Sequence, residues 1–192
     1  MIKQVIDAEM KAISVLSKKA GEYEKAADIL SECKGKLVFM GVGKSGHIAK
    51  KLAATFASLG TPSFFVHSTE AMHGDLGMIE KSDFAILISN SGKTKEVIQN
   101  VAPQKNNGVK TIAFTSKPES PLVQNCDYAI IYPDLAEADE NGLAPTVSTT
   151  LALVLGDAIA CELSARREFT REDFHRFHPN GALGEMLSKE KK

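Results

Sequence analysis

Phe84-Ala85-Ile86-Leu87-Ile88 runs straight into Ser89-Asn90-Ser91-Gly92-Lys93-Thr94, and that junction decides the fold. The apolar run predicts a strand buried on both faces. The turn after it crowds hydroxyls around one glycine, and from Thr94 to Asn107 the pattern becomes helical. A strand that hands over to a helix through such a turn aims backbone N–H groups and the positive end of a helix dipole at one small volume. That volume suits a phosphate group. An ordinary Ser/Thr helix cap would use the same residue types, so the rest of the chain has to decide.

Outward from this junction the same alternation repeats. Leu37-Val38-Phe39-Met40, Ser63-Phe64-Phe65-Val66, the run from Val109 to Phe114, and Tyr128-Ala129-Ile130-Ile131 are further strand candidates. Helical patterns cover Ser45 to Leu59, a short stretch after Pro121, and about Val147 to Arg166. Strands alternating with helices, in runs too apolar for a one-faced sheet, predict an α/β fold: a doubly wound, five-stranded parallel sheet flanked by helices. A helix precedes the first strand. Its apolar residues Ile2, Ile6, Met10, Ile13, Leu16 and Ala20 fall on one face, which would cover either the chain's own sheet or a partner subunit. In such folds ligands sit beyond the carboxyl ends of the strands. Gly41 to Gly46, His67 to Asp75 and Ser89 to Thr94 all fall there.

A chain of 192 residues supports one domain, expected over 1–187, with a frayed charged tail from Ser188 to Lys192. A net charge of -1 leaves no basic footprint for nucleic acid. Cys33, Cys126 and Cys161 form no C-x-x-C spacing and read as reduced thiols of a cytoplasmic protein. The first residues lack the apolar core of a signal peptide. The apolar run from Val147 to Leu163 is interrupted by Asp157 and Glu162 and is short for a bilayer span, so it reads as a buried helix, with no membrane partner.

Two motif matches fail on their context. Gly41-Val42-Gly43-Lys44-Ser45-Gly46 fits the dinucleotide fingerprint, but His67-Ser68 stand where a ribose-binding acid belongs. Gly43-Lys44-Ser45 and Gly92-Lys93-Thr94 resemble the end of a nucleotide P-loop. The first glycine of that motif would fall at Val38 in one and at Leu87 in the other. What remains is two glycine- and hydroxyl-rich loops at strand ends. Ser45, Ser89, Ser91 and Thr94 supply hydroxyls and Asn90 an amide, and together they read as a site for a phosphate monoester.

Around that cup stand several titratable residues. His73 lies in a stretch without apolar period. His178 precedes Pro179, which favours an extended backbone and a ring free to enter a cleft. Glu96 lies one turn into the helix after the phosphate loop, where a favourable helix-end charge is expected in any case. Glu137 belongs to the acidic stretch Glu137-Ala138-Asp139-Glu140. The histidines show no metal-ligand spacing, so neither metal nor cofactor is expected.

These residues resemble a family. Ser89 to Thr94 is similar to the phosphate loop of sugar isomerase (SIS) domains. Gly43-Lys44-Ser45-Gly46-His47, Glu70 to Met78, Gly142 to Thr146, Ser148-Thr149-Thr150 and His178 to Gly184 resemble, in order, the D-arabinose-5-phosphate isomerases. The resemblance implies interconversion of D-ribulose 5-phosphate and D-arabinose 5-phosphate, supplying Kdo for lipopolysaccharide. It implies Lys44, His73, Glu96, Glu137 and His178 as active-site residues, with Ser45, Ser89, Asn90, Ser91 and Thr94 on the phosphate. It further implies a homotetramer with shared sites, His73 or His178 completing a neighbour's. Two departures stand out. The sequence resembles the isomerase domain alone, without the CBS pair of many members, and Lys93 stands where an acidic residue is common. A cis-enediolate is the economical route, with a carboxylate or histidine moving the proton and Lys44 on the developing charge. The residues leave base and ring-opener open. A sugar-phosphate-sensing module and a 6-phospho-3-hexuloisomerase are the alternative readings.

Overall fold

The structure, a computed structural model, describes residues 1–180 and 186. Its strands are β1 (Leu37–Gly41), β2 (Ser63–His67), β3 (Phe84–Ile88), β4 (Lys110–Thr115) and β5 (Tyr128–Ile131). All pairings are parallel and the order is β2-β1-β3-β4-β5. The helices are α1 (Ile2–Ser17), α2 (Glu24–Ser31), α3 (Gly43–Ser58), α4 (Ser68–Ala71), α5 (Lys95–Ile98), α6 (Val101–Asn106), α7 (Pro121–Asn125), α8 (Val147–Arg166) and α9 (Arg171–Phe177).

Alternate strand residues feed two cores. Leu37, Phe39, Ile86, Ile112 and Phe114 pack with Leu52 and Phe56 of α3 and with Leu151, Leu155 and Ile159 of α8. Val38, Met40, Ala85, Leu87 and Ala113 face the other way, against Val97, Val101 and Leu122. Helices on both faces explain why the strands are apolar throughout. The order reverses between β1 and β3, so the switch point lies where the Gly43 and Ser89 turns meet.

The expected doubly wound sheet is therefore present, and four differences from the sequence reading have local causes. The helix expected from Thr94 to Asn107 is two helices. Pro103 has no N–H and crowds the carbonyl a turn before it, so regularity fails at Gln99 and Asn100. The Asn100 side chain caps the break, its Nδ2 donating to the Glu96 carbonyl at 2.7 Å. Helix α1 stops at Ser17 and buries only Ala12 and Leu16. Ile2 (80%), Ile6 (54%) and Met10 (63%) stay exposed, so most of its apolar face is uncovered by this chain.

Helix α8 has 20 residues, and by length and composition it could cross a membrane. Its length therefore does not exclude a bilayer span, contrary to the expectation, and packing decides instead. The helix lies against α1, α2 and α3 with Leu151, Leu155 and Leu163 at 0–2% exposure. Finally, α2 and α9 had no counterpart in the sequence reading. The α9 start carries a legible signal, a capping box in which Thr170 and Asp173 bond each other's backbone N–H. Gly181 to Gly184 of the His178 motif and the Ser188–Lys192 tail lie outside the described residues.

Candidate active site

The Ser89–Thr94 turn is shaped by its glycine. Gly92 has φ +59°, and a Cβ there would meet Ser120 Oγ at 2.1 Å. Across the turn the Ser89 and Thr94 hydroxyls bond at 2.9 Å, and Ser91 Oγ accepts from the Lys93 N–H at 3.2 Å. The neighbouring strands hold the turn from outside. Ser89 N–H donates to the Phe114 carbonyl at 3.1 Å. The Asn90 carbonyl accepts from Thr115 Oγ1 at 2.9 Å and Ser116 Oγ at 3.0 Å. Hydroxyls gathered on a backbone held this firmly form a preorganised donor set.

The second loop approaches from β1. Gly41 and Gly46 touch so closely that a Cβ on either would lie 3.1 Å from the other's backbone, which seats the first turn of α3 at the switch point. Ser45 reaches a cavity of about 30 Å³ that it shares with Asn90, Ser148 and Thr149. Lys44, next to it, is exposed and its ammonium has no partner among the described residues. An unpaired cation beside hydroxyl donors suits an anion.

Glu137 is engaged. Its carboxylate accepts from Thr146 N–H at 2.7 Å, Thr146 Oγ1 at 3.2 Å and Ser148 N–H at 3.2 Å, and from the Ser148 hydroxyl. It thereby takes up orphan N–H groups at the start of α8, where a negative charge is favoured. In the sequence Glu137 stands in an acidic stretch, and only the family resemblance marks it as an active-site residue. Its partners come from beyond the Gly142 turn, and no spacing rule reveals them.

Glu96 is exposed in α5, immediately after the cup, and its carboxylate has no partner among the described residues. His73 is exposed in the turn after α4. Asn100 links these two segments, donating to the Ser68 carbonyl at 2.9 Å as well as to that of Glu96. Lys93 lines an open cleft of about 430 Å³ together with Ser91, Lys117 and Ser120. Lys117 there pairs with Asp134.

His178 is not brought to this group. The expectation of a free ring fails, because the imidazole stacks on Phe174 at 3.9 Å and its Nδ1 bonds the Phe174 carbonyl at 2.9 Å. Phe177, beside it, stacks on Phe169 at 5.9 Å, and Phe169 packs on Gly60. Gly60 follows the far end of α3 from Ser45, and that helix of 16 residues is about 24 Å long. Sequence reasoning also missed Tyr132, whose hydroxyl donates to Asn90 Oδ1 at 3.2 Å. No motif contains it.

A hydroxyl-lined turn at the switch point of a 2-1-3-4-5 parallel sheet defines a doubly wound domain with its site at the strand carboxyl ends. Comparison with known proteins narrows that class. The family model described as SIS domain matches residues 29–161, and the chain belongs to this family. It is 44% identical over 188 residues to the arabinose 5-phosphate isomerase KpsF of Escherichia coli, covering 97% of this chain and 58% of that protein. To the arabinose 5-phosphate isomerase KdsD of Pseudomonas aeruginosa it is 47% identical over 186 residues, covering 96% and 57%. The chain thus spans a little over half the length of these relatives. The solved structure of E. coli CFT073 c3406 in complex with arabinose 5-phosphate superposes with a TM-score of 0.90 at 50% identity, covering 93% of this chain and 95% of that one.

Proposed function

We propose that this chain interconverts D-ribulose 5-phosphate and D-arabinose 5-phosphate as an aldose–ketose isomerase. The observation that carries the reading is the 50% identity, over nearly the whole of both chains, to a protein solved with arabinose 5-phosphate. The product would enter the synthesis of Kdo for lipopolysaccharide. Ser45, Ser89, Asn90, Ser91 and Thr94 hold the phosphate, and binding energy at that remote group orients the reacting carbons. A proton leaves C2 of the aldose and returns at C1 of the ketose. Meanwhile the C2 hydroxyl becomes the ketone and the C1 aldehyde becomes the alcohol. Lys44 stabilises the enediolate oxygen. The proton falls to Glu96 or His73, because the Glu137 carboxylate is occupied in holding the start of α8.

His178, distant from its own cup, serves the site of a neighbouring copy in an oligomer, a tetramer by family resemblance. The hexuloisomerase reading rests on 25% identity to a solved structure whose inferred function is 3-hexulose-6-phosphate isomerase, well below the 50% of the arabinose 5-phosphate complex, and the sensor reading is likewise not favoured.

The test is conversion of ribulose 5-phosphate by purified protein, with and without chelator, following arabinose 5-phosphate and ribose 5-phosphate separately. Chelator-resistant formation of the arabinose product is expected, with deuterium entering at C2 from heavy water. Glu96→Gln should lower kcat by about 10²–10⁴ if that carboxylate moves the proton. Binding of the sugar phosphate without turnover would sink the reading in favour of a sensor.

A further inference from the structure

Tyr132 lies in no motif, yet it is 2% exposed and touches the cup. It follows β5, and its N–H donates to the Thr115 carbonyl at 3.1 Å. Its ring stands edge-on to Phe114, with centroids 5.5 Å apart and planes at 90°. That packing directs the hydroxyl to Asn90 Oδ1 at 3.2 Å. Burial, with Glu137 and Asp134 nearby, pushes the phenol up, so the hydroxyl keeps its proton and can donate.

Asn90 is therefore held twice. Thr115 and Ser116 fix its main-chain carbonyl from β4, and Tyr132 fixes its side chain from the end of β5. A carboxamide carries one acceptor oxygen and two N–H donors. With the oxygen facing Tyr132, the donor end is left for a ligand. Asn90, Tyr132 and Ser45 line one cavity of about 30 Å³, which places the amide beside the second phosphate loop. An amide turned the other way would set its oxygen against an anion.

We propose that Tyr132 is a positioning residue for substrate, locking the Asn90 amide with its N–H donors toward the phosphate. The proposal rests on the phosphate-cup reading above. It adds a specificity element for oxyanions that comes from the far edge of the sheet and touches no substrate atom.

Tyr132→Phe removes the hydroxyl and keeps the ring packing. The expected result is a rise of about three- to tenfold in KM for ribulose 5-phosphate and in the Ki of inorganic phosphate as competitor. Turnover at saturation should stay at the wild-type value. In an Asn90→Ala background the same change should add less than about twofold, because the lock then has nothing to hold. Unchanged KM and Ki, a full additive loss in the double variant, or a fall in kcat alone would each overturn the proposal. If wild-type protein binds arabinose 5-phosphate without converting it, the isomerase reading fails. Calorimetric Kd values for that ligand would still decide on Tyr132.

Discussion

At Gly92 two demands meet in one residue. Its φ of +59° lies in the left-handed region, and its missing Cβ makes room for Ser120, itself 3% exposed. Gly92→Ala therefore combines backbone strain with overpacking, a loss of about 2–5 kcal/mol. Urea unfolding should show it, together with a raised KM. A loss of only about 1–2 kcal/mol would mean that Ser120 can withdraw and that the backbone strain alone remains. The hydroxyls of this turn were legible because strand, glycine and helix start are contiguous in sequence. What stayed hidden are the bonds that hold the turn from Thr115, Ser116 and Tyr132, which only the sheet order brings near.

Among the elements, α8 shows how contact overrules propensity. A Cβ at Gly156 would lie 2.4 Å from Leu52 Cδ2, and Leu52 is 0% exposed with nowhere to swing. Alanine would gain about 1 kcal/mol of helix propensity. Overpacking should cost about 1–3 kcal/mol, so Gly156→Ala is expected to be neutral to destabilising by about 2 kcal/mol in denaturant unfolding. Helix α9 offers a pH test. The Thr170 N–H and hydroxyl, at 2.9 and 2.7 Å, and then Arg176 hold the Asp173 carboxyl down to about 2. With a lowered value, its stabilisation is complete above the ordinary range near 3.9 and fades as pH falls through about 2. Carboxyl ¹³C titration should find that low midpoint, and Thr170→Ala should raise it.

Strands β3 and β5 and helix α8 were legible to the residue, because long apolar runs bounded by turns leave little choice. The break at Asn100 was not read from Pro103. The four-residue α4 is too short to show a period.

For the whole molecule, the separation of His178 from its own cup is the decisive feature. If the site is shared, Lys44→Met and His178→Ala should each lose about 10²–10⁴ in kcat. Mixing the two, with subunit exchange, should then restore activity well above either parent. A mixture no better than its parts would confine the site to one chain and leave α9 a structural helix.

The pinning of the Ser89–Thr94 turn by β4 and β5 carries a consequence for how such chains diverge. If Tyr132 positions Asn90 as proposed, affinity for a phosphate is set partly by the half of the sheet that donates no ligand atom. Lineages could therefore retune substrate affinity through drift at Thr115, Ser116 or Tyr132 while every recognised motif stays untouched. In chimeras joined between Thr94 and β4, from parents with identical phosphate loops, affinity should shift toward the parent of the C-terminal half.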